Sequence, residues 1–73
     1  MISDPAIAKQ VSDVLVECYL KIDDTAQVVL DGCPENESEP YRRGVGRVLG
    51  WMHAEILAPL YQRHPEIKPE GYP

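Results

Sequence analysis

Three arginines lie close together in the second half of the chain: Arg42, Arg43 and Arg47. In the first turns of a helix their charge would add to the positive end of the helix dipole, so a small anion could bind there. Neutralisation is expected instead from acids at the end of the preceding helix and in the adjoining loop, which are Asp23, Asp24, Asp31, Glu35, Glu37 and Glu39. Nucleic-acid binding needs a net basic face with several phosphate contacts, which three arginines in an acidic chain do not supply.

A row of acidic residues is the second charged feature. Asp13, Glu17, Asp24 and Asp31 fall on one face of a helix. The steps of seven residues, from Glu17 to Asp24 and from Asp24 to Asp31, separate these carboxylates by roughly 10 Å along the helix axis, too far to share one metal ion. The row is therefore predicted to be a solvated outer face, with contact to a basic partner as the alternative.

Histidine and cysteine form no catalytic pattern. His53 and Glu55 are two residues apart and point to different sides of a helix, without the E-x-x-H or H-E-x-x-H spacing of metal enzymes. Cys18 and Cys33 are too far apart along the chain to bond within one helix, and neither belongs to a C-x-x-C pair. We predict reduced cysteines used as small core residues, no metal, no cofactor and no enzymatic activity.

Charge is divided unevenly along the 73 residues, which carry a net charge of −5. Residues 1–39 hold nine acids and two lysines, net −7, whereas residues 40–73 hold five bases and three acids, net +2. Halves of opposite charge are suited to lie against each other. Because no apolar run approaches the 18 or so residues of a membrane span, we expect a cytoplasmic protein.

The first helix is predicted over about residues 5–31. Asp4 and Pro5 form a helix start, and Gly32 followed by Pro34 forms a stop. Between these signals apolar residues recur at steps of three and four: Ile7, Val11, Leu15, Cys18, Ile22, Ala26 and Val29. With their apolar neighbours they form an arc too wide for one neighbouring helix to cover.

The second helix is predicted over about residues 39–63, with Ser38 as its cap. The residues expected to pack against the first helix are Tyr41, Val45, Val48, Leu49, Met52, Ile56 and Leu60. Pro59 removes one backbone hydrogen bond, so a kink or break is expected there. Pro65 ends the helix, and residues 65–73 are predicted to form a proline-rich extended tail.

Small residues form a ridge on the other side of the second helix. They are Gly46, Gly50, Ala54 and Ala58, with Leu57 and Tyr61 beside them. Glycine inside a helix costs up to about 1 kcal/mol relative to alanine, and a close approach by another backbone could offset that cost. We predict that these six residues form an interface. The alternative is that the glycines mark a helix start that frays or bends.

The sequence thus predicts an all-α fold: an antiparallel helical hairpin of two long helices over residues 1–64, pairing with a second copy as a homodimeric four-helix bundle. The leading hypothesis for function is a non-enzymatic protein-interaction or regulatory module. The alternative is a small accessory subunit that docks on a larger helical partner through the ridge. An anion-binding or nucleic-acid-binding bundle built on Arg42, Arg43 and Arg47 is the third hypothesis.

Overall fold

The computed structural model describes residues 1–71 and contains helices but no strands within that range. The elements are α1 (Pro5–Gly32), α2 (Glu35–Met52), a π-helical turn (His53–Leu57), α3 (Ala58–Arg63) and a 3-10 turn (Pro65–Ile67). The predicted all-α class is confirmed. None of the described helices combines the length and the apolar character needed to cross a bilayer.

Helix α1 begins at the capping residue and ends before the proline that the sequence indicates. The Asp4 carboxylate accepts hydrogen bonds from the backbone N–H groups of Ala6 and Ile7, at 2.8 and 3.3 Å. These bonds satisfy two donors that have no partner within the helix. At the other end the Cys33 N–H donates to the Val29 carbonyl at 2.9 Å, and the backbone then turns to an extended conformation before Pro34.

Helix α2 starts earlier than the sequence predicts. It begins at Glu35, directly after Pro34, so the residues predicted as a connector are helical. Ser38 is not a cap: it is buried, and its hydroxyl donates to the Glu35 carbonyl at 3.4 Å. Glu35 and Glu37 lie in the first turn, where negative charge is favoured by the helix dipole. Pro40 is accommodated inside the helix.

The helix continues past Pro59 because the preceding turn is wider than an α-helical turn. Within His53–Leu57 the hydrogen bonds follow the π pattern, and the Ala58 N–H donates to the His53 carbonyl five residues earlier. Pro59 then stands in the first turn of α3, where its missing N–H is tolerated. The expected break is therefore replaced by one extra residue in the helix, and α3 runs to Arg63.

The two long helical segments run antiparallel. The Tyr41 hydroxyl donates to Thr25 Oγ1 at 2.7 Å near the loop, and Ser12 Oγ lies 2.6 Å from the Tyr61 hydroxyl near the other end. The molecule is a rod of 45 × 17 × 16 Å with a radius of gyration of 14.4 Å. A compact domain of this length has a radius of about 11 Å, so the hairpin exposes long sides.

The start of the predicted tail is not extended. Pro65–Ile67 forms a 3-10 turn that returns to α1. His64 Nε2 lies 2.6 Å from the Ile2 carbonyl oxygen, and this contact brings the two ends of the chain together. The local proline content predicted an extended segment, but a contact between residues 62 positions apart decided the outcome. Residues 72–73 of the predicted tail lie outside the described residues.

Candidate interaction surface

The contact between α1 and α2 is made by residues that repeat at intervals of seven, which we call the seam. On α1 they are Ala8, Ser12, Leu15, Tyr19, Ile22, Ala26 and Val29, all buried or half-buried. Alternate steps of four and three keep them on one side of a helix, as in a coiled coil. Because Ala8, Ser12 and Ala26 are small, the returning helical segment can approach α1 closely, with α3 beside Ser12.

The most deeply buried part of the seam lies where the chain ends meet. Leu57 and Leu60 are fully buried there. The hydrogen bond between Ser12 and Tyr61 is buried beside them. Among the described residues, no buried side-chain nitrogen or oxygen lacks a hydrogen-bond partner, as expected where burial of an unpaired polar group is costly.

Leu57 and Tyr61 therefore do not stand where the sequence predicts. We expected them on the outer side of the second helix beside the small-residue ridge, but both are buried inside the hairpin itself. The cause is the π-helical turn at His53–Leu57, because one extra residue rotates everything after it relative to α2. A prediction based on a regular 3.6-residue period cannot anticipate that shift.

The prediction for the packed side of the second helix is confirmed in part. Leu49 and Leu60 are buried as predicted, but Tyr41 and Val48 are exposed, and Ser38 is buried instead. Hydrophobic pattern alone favoured tyrosine and valine over serine for the packed side. Ser38 occupies it because a small side chain fits the close approach of the helices near the loop.

Exposed and half-buried apolar side chains line one long side of the rod, which we call the apolar face. At 100° per residue its α1 members lie on one flank of the seam, with Ile22 and Val29 shared between the two. The Thr25–Tyr41 hydrogen bond places Tyr41 of α2 on the same flank. The residues of the face are Ile7, Val11, Val14, Cys18, Ile22 and Val29 of α1, with Tyr41, Val45, Val48 and Trp51 of α2.

Two shallow grooves mark this face. One runs between α1 and α2 from Ile22 past Tyr41 and Gly44 to Val48. The other lies on α1 around Val11, Val14 and Leu15. The most exposed large side chain of the face is Trp51, at 67%. An exposed indole beside valines and isoleucines is typical of a surface that another protein covers.

The small-residue ridge lies on the outer side of the second helix, away from α1. Gly46, Gly50 and Ala54 are exposed, and Ala58 is half-buried. A Cβ atom added at Gly46 or Gly50 would meet no other atom within 4 Å. The glycines are thus not required by packing within the chain.

Two of the three arginines are paired with an acid that the sequence predicts as a neighbour, Glu39. Glu39, one turn earlier on α2, lies 2.8 Å from Arg42 and 3.8 Å from Arg43. These pairs are exposed, and such pairs contribute about 0–1 kcal/mol each. Within the described residues no carboxylate lies at ion-pair distance from Arg47. Arg42 lines a groove with Asp23, Asp24 and Leu30 of α1, whereas Arg43 and Arg47 lie on the outer side of α2, so the three arginines do not converge on one point.

The acidic row on α1 is exposed, with local ion pairs. Lys9 pairs with Asp13 at 2.7 Å and Lys21 with Glu17 at 2.9 Å. The hydrogen bond and the charge of Glu17 raise the pKa of Lys21. No group of metal-binding side chains is found among the described residues.

Cys18 and Cys33 are both exposed free thiols, not core residues as the sequence suggested. His53 is half-buried at the start of the π-helical turn. The sequence analysis missed two buried polar residues at the end of the rod where the chain termini meet, Ser12 and His64. The available signal was spacing, since Ser12 lies seven residues before Tyr19 and fourteen before Ala26.

Comparison with known proteins adds no family to this description. No protein-family model, no curated protein and no solved structure matches the chain. Its function must therefore be inferred from its own surface.

Proposed function

We propose that the chain is a non-enzymatic protein-interaction or regulatory module that works as a homodimer, with the apolar face of one hairpin packed against that of a second copy. Four helices would then enclose one core. The observation that carries this proposal is the exposure of Val14, Val48 and Trp51 on one side of the rod, at 56%, 54% and 67%. Two helices leave the flanks of their own seam open, and a second pair can cover the flank that carries the apolar face.

The total surface supports the same proposal. The accessible area of the hairpin is 5165 Å². A compact monomer of 8.2 kDa has about 4,500 Å² by the usual size relation. The excess is of the same order as the roughly 800 Å² that each partner contributes to a standard interface. Exposed free thiols at Cys18 and Cys33 fit a reducing compartment, and a cytoplasmic location belongs to this proposal.

The test is the solution mass, measured by light scattering on a sizing column, for two matched variants. Val14→Glu places a charge in the apolar face. Leu20→Glu places the same charge on the same helix, at a side chain that is equally exposed (57% against 56%) but lies on the opposite side. We expect the native chain and Leu20→Glu to be dimers and Val14→Glu to be a monomer, because an unpaired charge is not tolerated in a buried interface.

The outcomes separate the candidate surfaces. A monomeric native chain would refute the homodimer. If Val14→Glu remained a dimer while Gly50→Leu became a monomer, the small-residue ridge would be the interface and the apolar face would not. Gly50→Leu is a suitable probe of the ridge because a Cβ atom at Gly50 would meet no other part of the hairpin within 4 Å.

The second candidate is a small accessory subunit that docks on a larger helical partner through Gly46, Gly50, Ala54 and Ala58. It is favoured by the exposure of the ridge and by a core in which few side chains are fully buried among the described residues. This candidate predicts a native monomer that melts without a cooperative transition until its partner is added. A cooperative melt of a native dimer would count against it.

A further inference from the structure

Trp51 is the only tryptophan of the chain, and it is the most exposed large side chain of the apolar face. Its exposed fraction is 67%, against 54% for Val48 on the same helix and 56% for Val14 on α1. An aromatic side chain buries about 150–250 Å² when it is fully covered. At its present exposure Trp51 offers a partner roughly 100–170 Å², up to about a fifth of the roughly 800 Å² that each chain contributes to a standard interface.

The same face contains two recesses that the described part of the chain leaves open. The groove between α1 and α2 has a volume of about 450 Å³, which is room for an indole ring, and its lining is almost entirely apolar. Gly44 lies in its wall, and a Cβ atom there would meet no other atom within 4 Å. The groove beside Val11, Val14 and Leu15 is smaller, at about 280 Å³. Each hairpin thus presents one projecting ring and two places that could receive it.

The Thr25–Tyr41 hydrogen bond fixes the height of Trp51 along the rod. Trp51 is ten residues beyond Tyr41 on α2, and Leu15 is ten residues before Thr25 on α1. At 1.5 Å per residue both lie about 15 Å from that hydrogen bond. Trp51 is therefore level with the groove beside Leu15.

A second copy can cover the apolar face in two symmetric ways, and in both of them Trp51 lies opposite a groove of the partner. If the twofold axis runs parallel to the helices, α2 lies over the partner's α1 at the same height, and Trp51 faces the groove beside Leu15. If the axis crosses the rod at its middle, near Val48, α2 lies over the partner's α2 in the opposite direction. Trp51 then faces the groove beside Gly44, since these two residues stand three and four positions on either side of Val48.

We infer that Trp51 is the anchor of the homodimer, with its indole filling an apolar groove of the partner. By symmetry the partner's Trp51 fills the same groove of the first chain. This inference rests on the proposed homodimer and names the residue that contributes most to its binding. Residues that dominate the energy of an interface are enriched in tryptophan and lie in pockets from which water is excluded. The smaller isoleucines and valines of the face then form the contact around the anchor.

The fluorescence of Trp51 tests the inference in the native chain. Because there is one tryptophan, emission excited where tyrosine does not absorb reports on this side chain alone. The native dimer is compared with Val14→Glu, the expected monomer. We expect the dimer to emit at a shorter wavelength and to be quenched less by acrylamide, because its indole has left the water. Equal emission and equal quenching in dimer and monomer would overturn the inference while the homodimer stands.

A pair of matched substitutions tests the energetic part. Trp51→Ala and Leu20→Ala each remove an exposed apolar side chain, at 67% and 57% exposure, but Leu20 lies on the side of α1 away from the apolar face. We expect Trp51→Ala to raise the dimer dissociation constant at least about 30-fold, as truncation of an anchor does, and Leu20→Ala to leave it unchanged. Circular dichroism should show the same helix content in both variants.

The results distinguish the inference from the proposal beneath it. A dissociation constant raised no further by Trp51→Ala than by Leu20→Ala would overturn the role of Trp51 while dimers still form. A native chain that is monomeric in light scattering would refute the proposed homodimer and the anchor with it.

Discussion

At the end of the hairpin where the chain termini meet, Leu57 and Leu60 are fully buried, whereas at the loop end Ile22 and Val29 are only half-buried and Tyr41 is exposed. We call these the terminal end and the loop end. The difference arises because α3 and the 3-10 turn cover the terminal end, and no comparable element covers the loop end. A two-helix rod thus has one region that is packed within the chain and another that is left for a neighbour.

Each end also contains a hydrogen bond between a tyrosine and a hydroxyl group. Tyr61 lies 2.6 Å from Ser12 at the terminal end, and Tyr41 lies 2.7 Å from Thr25 at the loop end. Only the first is buried. The two hydrogen bonds are of similar length, but they are not expected to contribute equally to the stability of the fold. Water can replace the partner in an exposed hydrogen bond and cannot do so in a buried one.

The largest expected effect comes from shortening a core side chain at the terminal end. Leu57→Ala should lower the free energy of unfolding by about 2–5 kcal/mol, because it removes buried methyl groups and leaves a cavity. For a hairpin of this size that loss is a large fraction of the total stability. Chemical denaturation monitored by circular dichroism measures it. Val28→Ala, at an exposed side chain of the loop end, is the control and should change stability by less than about 0.5 kcal/mol.

A smaller effect is expected from the buried hydrogen bond. Tyr61→Phe should cost about 1–3 kcal/mol, because Ser12 Oγ is left buried without that partner. Adding Ser12→Ala to Tyr61→Phe should recover part of the loss, since the unpaired hydroxyl is then removed. A double variant that is less stable by the full sum of the two single effects would mean that the two hydroxyls do not act as a pair.

The smallest effect is expected at the loop end. Tyr41→Phe removes a hydrogen bond of similar length, but in a single hairpin both groups are exposed and water replaces the lost partner. In the Val14→Glu background, which is expected to be monomeric, stability should therefore change by less than about 0.5 kcal/mol. The same denaturation curves measure it. A loss as large as that of Tyr61→Phe in this background would show that the Tyr41 hydroxyl is buried within the hairpin.

The ends of α1 and α3 could be predicted from the sequence, because the residues at a helix end decide whether the helix continues. Asp4 with Pro5 starts α1, and Gly32 with Pro34 ends it, since a cap or a breaker acts on its own backbone turn. Pro65 ends α3 for the same reason. The predicted apolar stripe of α1 was only partly right. Leu15, Ile22, Ala26 and Val29 lie in the seam, but Ile7 and Cys18 are exposed, because hydrophobicity alone does not separate the packed side of α1 from its exposed flank.

The second helix shows what local signals miss. Ser38 has the residue type of a cap, yet it lies in the seam, where its small size matters more than its hydroxyl. Pro59 has the residue type of a helix breaker, yet a π-helical turn accommodates it. In both cases contact with α1 outweighs a local preference of about 1–3 kcal/mol.

The sequence by itself determined the helical class, the ends of α1 and the amount of apolar surface, because these depend on neighbours within a turn or two. Only the tertiary structure decided which residues that surface contains. One extra residue at His53–Leu57 turned Leu57 and Tyr61 inward, while the close approach of α1 at Ser38 left Tyr41 and Val48 outside. The side of a helix that is buried depends on rotation about its axis, and contact with another helix sets that rotation.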